Sequence, residues 1–379
     1  MFSANRSGVV AIGVAGLLTL GGCASGTSIS SSSSSNSSSG QSDFRAAAQK
    51  HVKQFSVAQD PVAISKLPSK PNSSLTVAIS TCVLPVCHTT TDAAAKAAKA
   101  LGWTARQYES DLTPEGYVRV WDQILENPPD LIAYTPSVPD AAVSKQLQAA
   151  AAKHIPVVAI APAGDRPSKA GPVFAAYAGY PYFLDTGTLM GDTIVADGGA
   201  GSDTVFVWDP ALSTIWDPMK AGLVKAISAT GSEPSVFESP TTGIGTQVPG
   251  QIVSYLQSHP NVKYVAFALG DYTAGVPAAL AAAGLSDQVK IVSANPQASN
   301  LANIKDGKEF ASVASENTAS GWRAIDGLAR LSLGLKPDDT WFEPSGWHQI
   351  FLAGGVTQTT QPPTTPGTPD AFLTAWGVN

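Results

Sequence analysis

The side chains with which this chain could do covalent or metal chemistry are few: three cysteines and five histidines in 379 residues. Cys82 and Cys87 stand in C-x4-C spacing, followed at once by His88. Haem attachment needs C-x-x-C-H, and a structural zinc site needs a second Cys/His pair. Neither is present, and His51, His154, His259 and His348 are scattered. Cys82 and Cys87 are therefore either a short local disulfide or free thiols, and no metal or other cofactor is expected. The motifs G-x-S-x-G, H-E-x-x-H and G-x-x-x-x-G-K-[ST] are all missing. Gly198-Gly199-Ala200-Gly201 precedes a strand pattern instead of following one, the wrong order for a dinucleotide turn. No catalytic constellation is found in the sequence, and the chain does not read as an enzyme.

Cys23 has a different setting. Met1–Arg6 carries one positive charge, Val9–Leu20 is apolar but too short for a bilayer span of ~20 residues, and Leu20-Gly21-Gly22-Cys23 follows. That order is a secretory signal over residues 1–22, and its end resembles a bacterial lipobox. The resemblance implies lipidation of Cys23 as the first mature residue. Residues 23–43, almost wholly Ser, Gly, Asn and Thr, bury too little apolar surface to fold and are expected to be a flexible tether. The expected location is extracytoplasmic, at the bacterial cell membrane. In such a compartment a Cys82–Cys87 disulfide would persist.

Composition narrows the rest. A formal charge of −6 and the lack of a basic patch argue against nucleic acid as a partner. Roughly 300 residues look globular, more than one core usually holds, which suggests two lobes.

The elements that must position any site alternate. Strand patterns at Leu75–Ser80, Thr104–Tyr108, Leu131–Tyr134, Val157–Ile160 and Phe174–Tyr177 are separated by helical ones at Thr91–Leu101, Pro114–Glu126 and Asp140–Lys153. A second series has strands at Thr204–Trp208, Ser235–Glu238, Tyr264–Leu269, Lys290–Ser293 and Phe310–Val313. Its helices are Tyr182–Gly198, Trp216–Ala229, Val248–Ser258, Asp271–Ala283 (with Asp271 as N-cap), Ala298–Asp306 and Thr318–Leu333. Runs such as LIAY and VVAI suit strands covered on both faces. The fold class is α/β: two doubly wound parallel-sheet lobes, whose sites lie beyond the carboxyl ends of the strands.

With LTVAIS, PPDLIAYTPSVPDAA, KHIPVVAIAPA and HPNVKYVAFALGDYTAGVPAALAAAGL in this order, the stretch Leu75–Lys336 resembles the type I periplasmic binding proteins, the ribose-binding-like solute receptors of ABC importers. The resemblance implies a three-crossover hinge near Tyr177–Gly179, Ser315–Glu316 and Gly346–Ile350. Lobe one would comprise 73–177 plus 316–346, lobe two 178–315 plus 347–358, and 359–379 would be a C-terminal tail. It further implies a monomer that traps a small-molecule ligand, sugar-like or aromatic and cyclic, by closure and delivers it to an ABC transporter permease. A sensor presenting ligand to a signalling membrane protein would share these features; a secreted α/β enzyme is a more distant rival.

The same resemblance nominates the site. The loop after the first strand offers Thr81, Cys82 and His88, stiffened by Cys87 if the disulfide forms. Sugar binders of the family carry an Asp-Arg pair after the fourth strand, where this chain has Ala161-Pro162, with Asp165 and Arg166 slightly later. That departure puts a simple sugar in doubt. Lobe two offers Trp216 and Asp217, then Asp271 with Tyr272, and Asn295; Glu316 sits beside a crossing. Trp216 could stack on a ligand ring or pack between helices, and Asp271 could bind ligand or only cap a helix.

Overall fold

The computed structural model describes residues 36–59, 63–136, 138–160, 175–177, 180–335, 348–360 and 363–378. The expected signal segment 1–22, Cys23, Asp165, Arg166 and the crossing segments 178–179 and 346–347 lie outside them.

The chain begins with α1 (Asn36–Phe55), β1 (Thr76–Cys82), α2 (Pro85–Ala100), β2 (Thr104–Ser110), α3 (Pro114–Glu126), β3 (Leu131–Tyr134), α4 (Ser144–Ala152), β4 (Val157–Ile160) and β5 (Ala175–Tyr177). It continues with α5 (Tyr180–Gly198), β6 (Thr204–Trp208), α6 (Ser213–Ser228), β7 (Ser235–Glu238), α7 (Val248–Ser258), β8 (Tyr264–Phe267), α8 (Val276–Ala282) and β9 (Lys290–Ala294). Last come α9 (Ala298–Lys305), β10 (Ala311–Ser315), α10 (Asn317–Ser332), β11 (His348–Leu352) and α11 (Thr368–Trp376).

Two sheets result. The first has the order β2-β1-β3-β4-β5 and the second β11-β10-β9-β8-β6-β7. Every pairing is parallel except β10 with β11. The continuously apolar β3, β4, β6 and β8 are buried along their whole length, as expected of strands covered by helices on both faces. The edge strands β2 and β7 carry the polar residues and are largely exposed.

Local chemistry sets the helix starts. Thr113 accepts a hydrogen bond from the N–H of Gly116 at the head of α3, and Pro114 fills the first helical position, where its missing N–H costs nothing. Between α5 and α6 the backbones touch: a Cβ on Gly187 would lie 1.8 Å from Met219 O, and one on Gly222 2.0 Å from Leu184 O. Gly321 in α10 allows the same approach to α2, where a Cβ would meet Thr90 O at 2.1 Å.

β5 is followed by α5, which packs on α6 and the second sheet; β10 is followed by α10, which returns to α2 of the first. β11 then adds an antiparallel strand to the second sheet. Two further passages were not expected. α1 docks on α5 of lobe two, yet Leu67, shortly after it, is buried in the lobe-one core. After β11 the chain returns to lobe one, where α11 buries Phe372 and Trp376 against Trp322. Trp376 Nε1 also donates to Asp326 at 2.8 Å.

Three expectations need correction here. The tether does not run to Asp43, because α1 starts at Asn36 and is held by Arg45 donating to the carbonyls of Ala196 and Asp197 at the end of α5. Residues 359–379 are not an appended tail, because α11 completes the lobe-one core. Asp271 caps no helix: it lies in a 3-10 turn, Gly270–Thr273, and α8 starts later, after Gly275 at φ 79°.

Candidate functional site

The carboxyl ends of both sheets face one another, and the loops leaving them form a cleft with walls from each lobe. On the lobe-one side, β1 continues through Cys82 and α2 begins at Pro85, so the loop expected over 80–88 shrinks to Val83 and Leu84. Pro85 explains this, since its ring pre-sets the helical φ at the first position. Cys82 and Cys87 are disulfide-bonded, joining the strand end to the first turn of the helix. The bridge fixes the direction of Leu84 and Val86, which cross the cleft and pack on the apolar cluster of lobe two.

Thr81 lies behind this wall. It is buried and accepts a hydrogen bond from Thr91 Oγ1 at 2.9 Å, tying β1 to α2. His88 faces away from the cleft, with Nε2 3.0 Å from Glu109 on the edge strand. Neither lines the cleft.

On the lobe-two side Trp216 does line it, and it packs as well: its ring centroid is 5.9 Å from that of Tyr272. The two readings of Trp216 are thus compatible. Tyr272 is fully buried beneath it and donates to Ser239 O at 2.7 Å, so it supports the wall without reaching the ligand space. Asp217 points outward from α6 and pairs with Lys220 at 2.9 Å. Trp216 and Asp217 are consecutive helical residues, about 100° apart around the axis, so both cannot face the same way.

Asn295 lines the cleft at the end of β9, at φ 53°, a left-handed conformation that Asn tolerates better than most residues. Its Oδ1 lies 3.4 Å from Asn317 Nδ2 on α10. Asp271 sits beside these groups, 8 % exposed, and receives the main-chain N–H of Val86. Burial pushes its pKa up to about 7, against smaller opposing effects from the N–H groups of Asp271 itself and Val86. Its Oδ2 is buried with no hydrogen-bond partner. The turn carrying it is braced by Asn300, whose amide donates to Gly270 O and Thr273 Oγ1, and by Glu309, which accepts from Thr273 at 2.8 Å.

Glu316 lies at the hinge and not in the cleft. It caps α10 by accepting from the N–H of Ala319 and also receives the N–H of Thr365. His348 is buried nearby, with Nε2 2.9 Å from Thr186 Oγ1 and 3.2 Å from Tyr182 O; burial lowers its pKa to about 4. It is neutral at pH 7.

Of the residues nominated from sequence, the structure brings Cys82, Cys87, Trp216 and Asn295 together at the cleft, with Asp271 against its edge. It also places there residues the sequence reading passed over: Tyr182 and Phe183 from the start of α5, Leu212 just before α6 and Ile215 within it, and Asn317 and Ser320 from α10. The aromatic pair in YPYFLD, immediately after a crossing, was the available signal. The cavity holds about 110 Å³, and none of the described residues lining it is charged. A larger open groove, about 1120 Å³, lies at the opposite edge of sheet two beside Asp197, Lys263 and Lys290. It opens at the strand starts, whereas ligands of open α/β sheets bind beyond the strand ends, so the cleft is the candidate site.

A family model described as periplasmic binding protein domain matches residues 82–336. The chain belongs to this family. Its members are extracytoplasmic binding proteins and not enzymes, as the missing catalytic motifs lead one to expect. Solved periplasmic binding proteins share the two-lobed fold. An ABC transporter solute-binding protein from Mycobacterium smegmatis with bound glycerol is 21% identical, covers 76% of this chain and 99% of its own, and superposes with a TM-score of 0.64. A carbohydrate transporter solute-binding protein from Agrobacterium radiobacter, in complex with D-arabinose, is 17% identical over 79% of this chain and 99% of its own, TM-score 0.65. The 5-methylthioribose transporter solute-binding protein of Thermotoga lettingae is 15% identical over 83% and 95%, TM-score 0.66. None of the functionally curated proteins matches this chain. Among the described residues of this periplasmic binding protein, no helix is long and apolar enough to cross a membrane and no group of acidic, Cys or His residues could hold a metal.

Proposed function

We propose that this periplasmic binding protein is a lipid-anchored, monomeric receptor that captures a small organic ligand between its lobes and delivers it to an ABC permease. The observation that carries the reading is the cleft itself: both walls come from the carboxyl ends of parallel strands, on lobes joined by short passages after β5 and β10. Closure about such passages traps a ligand through contacts that both lobes make at once. Bound glycerol, D-arabinose and 5-methylthioribose in the similar structures support a small neutral ligand. Cys23 would carry the lipid, with the serine-rich stretch before α1 as tether, keeping the receptor near its permease.

The test has two arms. Cys23→Ser should move the protein from the membrane fraction to the medium without altering its fold. Deletion of the gene should abolish uptake of the solute that co-purifies with the protein, and the tethered form should restore it. Retention of the Cys23→Ser chain at the membrane, or undiminished uptake in the deletion strain, would remove the respective half of the proposal.

A further inference from the structure

We propose that the cleft carries its own clasp: the start of α2 on lobe one meets the Gly270–Thr273 turn and Gln297 of lobe two directly, protein on protein, so that the lobes close before a ligand arrives. The proposal rests on the receptor reading above and adds the residues that set its closure.

The contact has an apolar half and a polar half. Leu84 and Val86 reach over from lobe one and pack on the apolar cluster of lobe two. Beside them the main-chain N–H of Val86 faces the carboxyl of Asp271. Thr89 Oγ1 lies 3.3 Å from Gln297 Oε1, sharing its proton with Pro85 O at 3.2 Å. Asp271, Thr89 and Gln297 are not among the residues that line the cavity. The polar half therefore flanks the ligand space and does not depend on what fills it.

Both sides are held before they meet. On lobe one the Cys82–Cys87 bridge ties the start of α2 to the end of β1. On lobe two a single buried side chain sets both receiving points. Asn300 accepts from the N–H of Gln297 at 2.8 Å, and its amide donates to Gly270 O at 3.1 Å and Thr273 Oγ1 at 2.8 Å. Glu309, 2% exposed, accepts in turn from Thr273, Asn300 and Asn303. Surfaces already ordered lose little conformational freedom on meeting, which favours contact without a ligand.

A closed free state has a kinetic signature. Ligand enters through the open state and is held in the closed one, so its apparent affinity scales with the closed fraction, whatever the ligand. Weakening the clasp should speed both association and release, and lower the affinity for every solute by one factor. A residue that touches the ligand would instead favour one solute over another.

Small-angle scattering of the full chain, dialysed free of solute, is the first test. The wild type should scatter as the closed structure does, and Thr89→Trp, a wedge between the lobes, as a longer particle. A wild type as extended as the wedge variant overturns the clasp. If Thr89→Trp does not fold, Thr89→Val combined with Gln297→Ser carries the comparison. Each of these two removes the Thr89–Gln297 contact, Ser keeping a cap for α9, and should lower the closed-to-open ratio roughly twofold to fivefold. Asp271 is kept intact, since its unpartnered Oδ2 is available to a ligand. Stopped-flow fluorescence with glycerol and D-arabinose as probes is the second test. Both should bind the variants faster and more weakly, by a common factor in affinity; slower association, or a changed preference between the two, overturns the clasp. If neither probe binds, the scattering comparison alone decides. Failure of the receptor reading looks different: conversion of a probe into another compound, or undiminished uptake in the deletion strain, removes the receptor and leaves the scattering difference in place.

Discussion

The main-chain N–H of Val86, in the first turn of α2 on lobe one, meets the carboxyl of Asp271 on lobe two. The contact spans the cleft, and it places an acid at a helix amino terminus, where free N–H groups and the helix dipole favour negative charge. Burial works against that preference and wins, since the pKa rises to about 7. Asp271 is thus an acceptor for the disulfide-stiffened turn of the other lobe, and it is close to half protonated at neutral pH.

This sets a pH signature. With a folded pKa of about 7 against 3.8 ordinarily, the folded chain keeps a proton that the unfolded chain has released across that window. Stability therefore falls as pH rises from about 4 to 7 and levels off above, with a slope of at most about 1.4 kcal/mol per pH unit from this group. Asp271→Asn keeps one acceptor for Val86 and removes the titration. Urea unfolding of both proteins between pH 4.5 and 8 should show the variant gaining on the wild type as pH rises; a constant difference would contradict the assignment.

The disulfide constrains a very short loop. Chain-entropy reasoning for a sequence separation of 5 gives roughly 2 kcal/mol. Cys87→Ser should lower the stability of lobe one by about that amount. It should also weaken ligand binding, because the turn holding Leu84 and Val86 must then be ordered on closure. Calorimetry on the oxidised and variant proteins measures both effects.

Gly222 carries the α5–α6 contact. Adding one methyl places it 2.0 Å from Leu184 O, a backbone atom that cannot rotate aside. Gly222→Ala should cost about 1–3 kcal/mol through forced separation of the helices. Gly250→Ala, where no atom lies within 4 Å of the added Cβ, is the control and should be near neutral in thermal unfolding.

Trp376 tests whether the C-terminal helix belongs to the core. It is 1% exposed, stacked on Trp322 at 5.6 Å, and bonded to Asp326. Trp376→Ala should cost about 3–5 kcal/mol and expose lobe one to limited proteolysis. A loss under ~1 kcal/mol would return α11 to the status of an appendage.

Much of the fold was legible because apolar runs and punctuation are local signals. Leu131–Tyr134, Val157–Ile160 and Thr204–Trp208 are strands with the bounds their sequences indicate, and Pro114–Glu126 and Val248–Ser258 are helices likewise. α1 was not legible, because its polar start has weak helical character and its support comes from Ala196 and Asp197, some 150 residues away. β11 and α11 escaped for the same reason: partners in β10 and Trp322 are invisible to a local pattern.

For the site, residue types put Ala161-Pro162 where sugar binders of the family carry an Asp-Arg pair, with Asp165 and Arg166 slightly later and outside the described residues. Which side chains face the cleft is a different matter. Trp216 and Asp217 are neighbours in sequence, and only the rotation of α6 against sheet two turns the first inward and the second toward Lys220. Sequence alone determined the order of strands and helices from β1 to α10, the family, and the expectation of a disulfide between Cys82 and Cys87, because each follows from local pattern and spacing. Tertiary structure decided that this bridge aims Leu84 and Val86 across to lobe two, that the Tyr182 hydroxyl is buried beside Ser315 and Ser320, and that Asp271 is buried against Val86. Those are consequences of packing between segments far apart in the chain, and no local pattern encodes them.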